Sequence, residues 1–223
     1  MGIRENRSRK NVAPEGWQYI QRECFGLVYD RRGKWVISMV ACVYPHVAVL
    51  LNRWLRQRLM DLDDEEFDNP LENWKWAAVI VNANYGTARH VDKNNHGPSI
   101  IRSLGRQNDS LLIWPQGVDR KPTAVRVSSE DTMVAFDGTT PHRPKRMGEC
   151  PGLYSIVFFQ PKQGWDAPRH VLNASAELDY NLCDSQDDAE QFKLRYRAMA
   201  AGNAFRTWKV RVTSSTAELD MME

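Results

Sequence analysis

The feature that most restricts the fold of this chain is a succession of short apolar runs broken by turn residues. They lie at Phe25–Tyr29, Lys34–Ser38, Trp74–Asn82, Ile100–Leu104, Leu111–Pro115, Thr123–Val127, Thr132–Phe136 and Leu153–Gln160. Val, Ile, Phe and Trp are frequent in them, and Gly, Pro, Asn, Asp or Ser separate them, which is the signature of strands joined by turns. Roughly eight such strands predict a mainly β fold with flanking helices, a sandwich or barrel of the jelly-roll type. With 223 residues the chain is long enough for one domain with a substantial core.

Helical patterning is confined to two stretches. From Pro45 to Met60, the residues Val47, Leu50, Leu51, Trp54, Leu55 and Leu59 recur at helical spacing, with Arg53, Arg56 and Arg58 between them. This predicts an amphipathic helix that covers a sheet and presents its arginines to solvent. Ala189 to Ala201 predicts a second, outer helix through Phe192, Tyr196 and Met199, and Ala204 to Val212 a strand. Residues 1–16 are basic and polar and predict a flexible tail, 17–212 a single domain, and 213–223 a second tail. Asp61 to Asp68 is an acidic loop without the Gly and terminal Glu of a calcium loop.

The formal net charge is +2, too small to imply a strong field toward nucleic acid or a membrane surface. Cys24, Cys42, Cys150 and Cys183 are scattered and form no C-x-x-C, which predicts free thiols in a reducing, intracellular compartment, cytoplasmic or nuclear. No apolar run has the length of a signal peptide or membrane span, so the expectation is a protein that is neither secreted nor membrane-bound.

Chemistry concentrates at His90-Val91-Asp92. On an extended segment, side chains two residues apart share a face, so an imidazole and a carboxylate lie side by side. A second imidazole, from His142 on the Asp137-Gly138-Thr139-Thr140-Pro141 turn, would complete a two-histidine, one-carboxylate set. That donor set suits non-haem Fe(II) and leaves coordination positions open. His96 lies beyond the Asn94-Asn95 turn and is expected at the rim, while His46 and His170 have no partner motif.

The run from Val81 to Ser99, VNANYGTARHVDKNNHGPS, resembles the 2-oxoglutarate/Fe(II) dioxygenase superfamily and, within it, the TET/JBP-like branch of algae and protists. Leu112-Ile113-Trp114-Pro115, Phe136-Asp137-Gly138 before His142, and Tyr154 to Phe159 follow in the same order, so the resemblance covers about residues 74–160. It implies a double-stranded β-helix, cupin-like, with Fe(II) held by His90, Asp92 and His142. It further implies C–H hydroxylation by O2 coupled to decarboxylation of 2-oxoglutarate, or use of ascorbate in one algal type. Asn82, Asn84, Tyr154 and Ser155 are the residues it would place around the co-substrate. The family usually carries Arg or Lys just before Tyr-Ser to grip the far carboxylate; Leu153 stands there in this chain, and Arg102 on another strand is the expected substitute. Substrates in keeping with the resemblance are a nucleobase methyl group in DNA, a protein side chain or a small molecule. The competing reading, motivated by Leu153, is a non-catalytic jelly-roll binding protein that has lost the co-substrate anchor. Oligomeric state is not legible.

Overall fold

The computed structural model describes residues 20–60, 74–104, 110–114, 124–128, 132–145, 148–199 and 205–209, together with Ile3, Glu5, Asn6 and Ala13. The chain order is β1 (Glu5–Asn6), β2 (Ile20–Tyr29), β3 (Trp35–Ile37), α1 (Met39–Val43), α2 (Pro45–Met60), β4 (Ala78–Gly86), β5 (Asn95–Leu104), β6 (Ser110–Ile113), β7 (Val125–Ser128), β8 (Thr132–Asp137), β9 (His142–Pro144), β10 (Gly148–Pro161), a 3-10 turn (Gly164–Asp166), α3 (Arg169–Glu177), α4 (Gln186–Met199) and β11 (Phe205–Lys209).

All pairings between these strands are antiparallel. One large sheet runs β1-β2-β4-β10-β5-β8-β11, with β3 as a second partner of β2, and a small sheet runs β7-β6-β9. The protein is therefore a mainly β jelly roll with flanking helices. The predicted hairpin is present, with Leu27 opposite Ile37 and Tyr29 opposite Trp35. Asp30 closes its turn by accepting the amides of Arg32 and Lys34.

The large sheet is covered on both sides, so its strands are apolar in near-continuous runs rather than in strict alternation. Ile100, Met133, Ala135, Ile156 and Phe158 face the helices and pack with Trp74, Trp76, Leu55, Leu59 and Phe192. Their chain neighbours Ile101, Val134, Phe136 and Val157 face the small sheet and pack with Leu111, Ile113 and Val127. The period of two along each strand assigns successive residues to the two cores.

Several boundaries differ from the sequence expectation. The run expected over Trp74–Asn82 extends, as β4, to Gly86 with Asn84 at φ 61°. The run expected over Ile100–Leu104 begins earlier, as β5, at Asn95, and passes through Gly97 at φ 67°, where an added Cβ would lie 2.9 Å from the Phe192 ring. His90 was expected on a strand, but it forms a single isolated bridge to His142. The expected solvent-facing arginines of α2 are partly employed. Arg53 Nε lies 2.7 Å from Asp179 Oδ2, and Arg56 donates to the Asp179 carbonyl and lies 5.3 Å from the Trp76 ring centre. The acidic loop 61–68 and most of both tails lie outside the described residues, although Glu5–Asn6 pairs with Ile20–Gln21. Cys24, Cys42 and Cys183 are free thiols, and Cys150 is not described at side-chain level. No described helix is long and apolar enough to cross a membrane.

Candidate metal centre

The centre is built by three backbone ties. His90 and His142 exchange both main-chain hydrogen bonds, at 3.0 and 2.9 Å, which sets the two residues directly opposite each other. The Asp92 amide donates to the Gly138 carbonyl at 2.8 Å, bringing the first segment against the turn that precedes His142. That turn is held by Asp137, whose Oδ1 accepts the amide and hydroxyl of Thr139, the local geometry expected of Asp before Gly-Thr. Gly138 packs closely: a Cβ there would lie 3.1 Å from Asn95 Nδ2 and 3.3 Å from Ser99 Oγ and would press on that hydrogen-bonded pair.

With the backbones so placed, the side chains converge. His90 Nε2 is 3.9 Å from Asp92 Oδ1, His142 Nε2 is 3.7 Å from Asp92 Oδ2, and one ligand atom from each of the three lies within 4.8 Å of the others. The imidazole centres are 4.5 Å apart and the rings are tilted by 55°. His90 Nδ1 lies 2.8 Å from the Ala88 carbonyl and His142 Nδ1 2.8 Å from the Thr140 carbonyl. A carbonyl only accepts, so both Nδ1 atoms carry the proton and both Nε2 lone pairs face Asp92. Burial and the neighbouring His90, against a smaller upward pull from Asp92, bring the His142 pKa down to about 4, so it is uncharged at neutral pH. Two imidazole nitrogen donors, oriented by the Ala88 and Thr140 carbonyls, and one carboxylate fit Fe(II), or Mn(II) and Co(II) in its place.

The three residues line a pocket together with Arg22, Ile80, Asn82, Thr87, Ile101 and Ser155. It offers about 70 Å³, against the roughly 10–15 Å³ that a single water needs, which suits a small co-substrate. Asn82 and Ser155 are side by side in this wall, the Asn82 amide donating to Ser155 Oγ at 3.0 Å.

Three expected co-substrate residues are elsewhere. Arg102 is opposite Ile156, and Ile156 is opposite Val81, so it lies on the helix-covered face, 5.8 Å from the Trp54 ring centre. Tyr154 is one residue out of phase with Ser155 and is exposed. The Asn84 amide is occupied by structure, donating to Gln21 Oε1 and accepting from the Gly152 amide. His96, expected at the rim, is buried with its ring 5.1 Å from Trp165 and Nε2 3.7 Å from Glu190. His46 and His170 are exposed.

No family model matches this chain, and no curated protein matches it. Among solved structures it is similar to an oxidoreductase of the 2OG-Fe(II) oxygenase family from Burkholderia pseudomallei, at 17% identity and TM-score 0.45 over 70% of this chain and 72% of that one. It is also similar to NgTET1 in complex with 5mC DNA, at 13% identity and TM-score 0.35 over 70% and 69%. A third is YcfD, a ribosomal oxygenase from Escherichia coli in complex with cobalt and succinic acid, at 12% identity and TM-score 0.35 over 80% and 55%.

Sequence reasoning missed Arg22, Thr87 and the pairing of Arg89 with Trp114. Arg22 precedes the run recognised as a strand, which in fact begins at Ile20. Arg89 and Arg143, each adjacent in sequence to a histidine of the centre, lie 4.5 and 5.8 Å from the Trp114 ring centre.

Proposed function

We propose that this protein is a non-haem Fe(II)-dependent dioxygenase that hydroxylates a C–H bond, with 2-oxoglutarate as co-substrate and ascorbate as the alternative reductant. The observation that carries the reading is the convergence of His90, Asp92 and His142 with both imidazole Nε2 atoms presented to one point. These three residues would hold Fe(II), which when bound supplies O2 activation at the positions the protein leaves open. The chain's own part is positional. The Ala88 and Thr140 carbonyls hold each imidazole in the metal-binding tautomer. Burial keeps His142 unprotonated, so no proton has to be expelled from it on loading. Ile80, Ile101, Phe136 and Val157 make the pocket wall apolar and limit the water beside the reacting atoms.

The substrate reading rests on the surface beside the two histidines. Two guanidiniums gathered on Trp114 beside the histidines favour an anionic partner. A nucleobase methyl group in DNA, flipped out of its stack to reach the centre, is the substrate this favours over a protein side chain or a neutral metabolite.

Titration of Mn(II) into the chelator-treated full chain tests the centre. Micromolar or tighter binding is expected, weakened about a hundredfold or more by Asp92→Ala, since loss of a ligand costs at least as much as loss of its support. Equal binding by the Asp92→Ala protein, with the fold intact by circular dichroism, sinks the proposal. Metal binding without turnover of either co-substrate would favour the non-catalytic reading.

A further inference from the structure

We propose that the outer face of the small sheet is a docking surface for a nucleic acid, held by its phosphate backbone through Arg89, Arg126, Arg143 and Lys145. This deepens the substrate reading above and rests on it; the surface itself does not depend on the metal.

Register places these groups. Leu112 of β6 is opposite Arg126 of β7 on one side and opposite Arg143 of β9 on the other. Directly opposed residues share a face, so Arg126, Leu112 and Arg143 form one row across the small sheet. The neighbouring row is Val125, Ile113 and His142. Ile113 of that row packs in the core between the sheets, and His142 lines the pocket. Alternation along the strands therefore turns Arg126 and Arg143 to the outside. Lys145 continues the alternation two residues beyond Arg143, its amide donating to the Ser110 carbonyl, and is exposed. At the other end of β6, the Trp114 amide donates to the Pro141 carbonyl, and exposed Arg89 lies 4.5 Å from the Trp114 ring centre.

The three strands contain no Asp or Glu. Among the described residues, the three arginines meet the Trp114 ring, the Ser110 hydroxyl and the carbonyls of Pro144 and Lys145, none of them an anion. Like charges held on one face repel, and a bound polyanion removes that repulsion. The arginines are also ordered in advance. Trp114 carries Arg89 and Arg143, and Ser110 Oγ accepts from Arg126 Nε at 2.9 Å. A fork held in this way still offers its terminal N–H groups to a phosphate, with less side-chain freedom left to lose.

The span of the face selects the partner. Arg126 and Arg143 stand two strands apart, roughly 10 Å at the backbone. One phosphate group cannot bridge that distance, so the fitting partner carries charge at repeated positions. The Trp114 ring already carries two guanidiniums, which leaves phosphates rather than bases as the groups contacted, and makes binding independent of sequence. An anionic membrane fits less well, because it also takes up exposed apolar side chains. Met39, Leu50 and Met60, among the most exposed of these, are on α1 and α2, the helices that cover the large sheet.

The test is fluorescence anisotropy of a short labelled DNA duplex titrated with the chelator-treated full chain over a range of salt concentrations. In wild type the logarithm of the binding constant is expected to fall against the logarithm of salt concentration with a slope of about −3 to −4, four contacts at about 0.9 each. Arg89→Gln, Arg126→Gln, Arg143→Gln and Lys145→Gln should each reduce the slope by about 1 and weaken binding several-fold, equally on duplexes of different sequence. Arg31→Gln, on the exposed hairpin turn, should behave as wild type. Binding that none of the four substitutions changes, or that Arg31→Gln weakens as much, overturns the docking surface and leaves the substrate reading standing. No binding by the wild type overturns both, whatever the Mn(II) titration shows. Phosphatidylserine vesicles bound in place of DNA, with the same dependence on the four residues, would give the face to a membrane and overturn the proposal.

Discussion

At the scale of single residues, His142 is where solution conditions act most directly. Its burial lowers the folded-state pKa from 6.5 to about 4. An unfolded chain takes up a proton below about pH 6.5 that the folded chain refuses until pH falls through about 4. The stabilisation is therefore fully present above pH 6.5 and is lost across that window. At about 1.4 kcal/mol per pH unit it amounts to roughly 3 kcal/mol. The thermal midpoint of the metal-free protein is expected to fall on going from pH 7 to pH 4.5, and to fall less in His142→Asn. Equal falls in differential scanning calorimetry would show that another group dominates. The same residue shows what local sequence can and cannot deliver. His90, Asp92 and His142 were legible because their spacing and turn chemistry are local, and Asn82 and Ser155 through the resemblance around them. That Arg22 lines the pocket and Arg102 does not was not legible, because alternation says that Ile101 and Arg102 point opposite ways without saying which of them points into the pocket.

At the scale of elements, α2 is tied to the sheet by one side chain more than by its apolar stripe alone. Asn52 is fully buried, donating to the Leu178 carbonyl at 2.6 Å and accepting from Trp76 Nε1 at 2.9 Å. Replacing it by Ala leaves a buried indole N–H and a carbonyl without this partner, at about 1–3 kcal/mol each. For a chain of this size a loss of about 3 kcal/mol lowers the melting temperature by roughly 6–12 °C. Asn52→Asp, which turns a carboxylate toward the Leu178 carbonyl, should not recover it. An unchanged melting temperature for Asn52→Ala would mean that water takes over both bonds. The helix itself was legible from its period. Asn52 interrupts the apolar pattern, and periodicity gives a polar residue no weight as a core position. Strand ends were harder to place. Gly97 and Asn84 are turn-forming residues, and both take positive φ where the pairing with β10 shifts register, so β5 and β4 absorb them as irregularities and continue.

At the scale of the whole molecule, the order of strands departs most from their order in the chain. β4 and β5 are close in sequence but are not paired; β10, which follows some sixty residues later, lies between them. Short turns identify strands that are neighbours along the chain, and nothing in such a turn reports a strand inserted afterwards. The sheet was therefore legible in its composition and not in its order. A sheet whose centre closes only with its tenth strand must accept long loops before it gains contacts. Refolding followed by tryptophan fluorescence is expected over milliseconds to seconds or longer, and a microsecond main phase would contradict that. The paired main-chain bonds between His90 and His142 work in the opposite sense once folding is complete. They already close the long loop that joins the two histidines, so an ion bound as proposed above would close nothing further and would gain no chain entropy by arriving. Loading of that ion is then expected to be separable from folding, and exchange of one metal for another to leave the scaffold assembled.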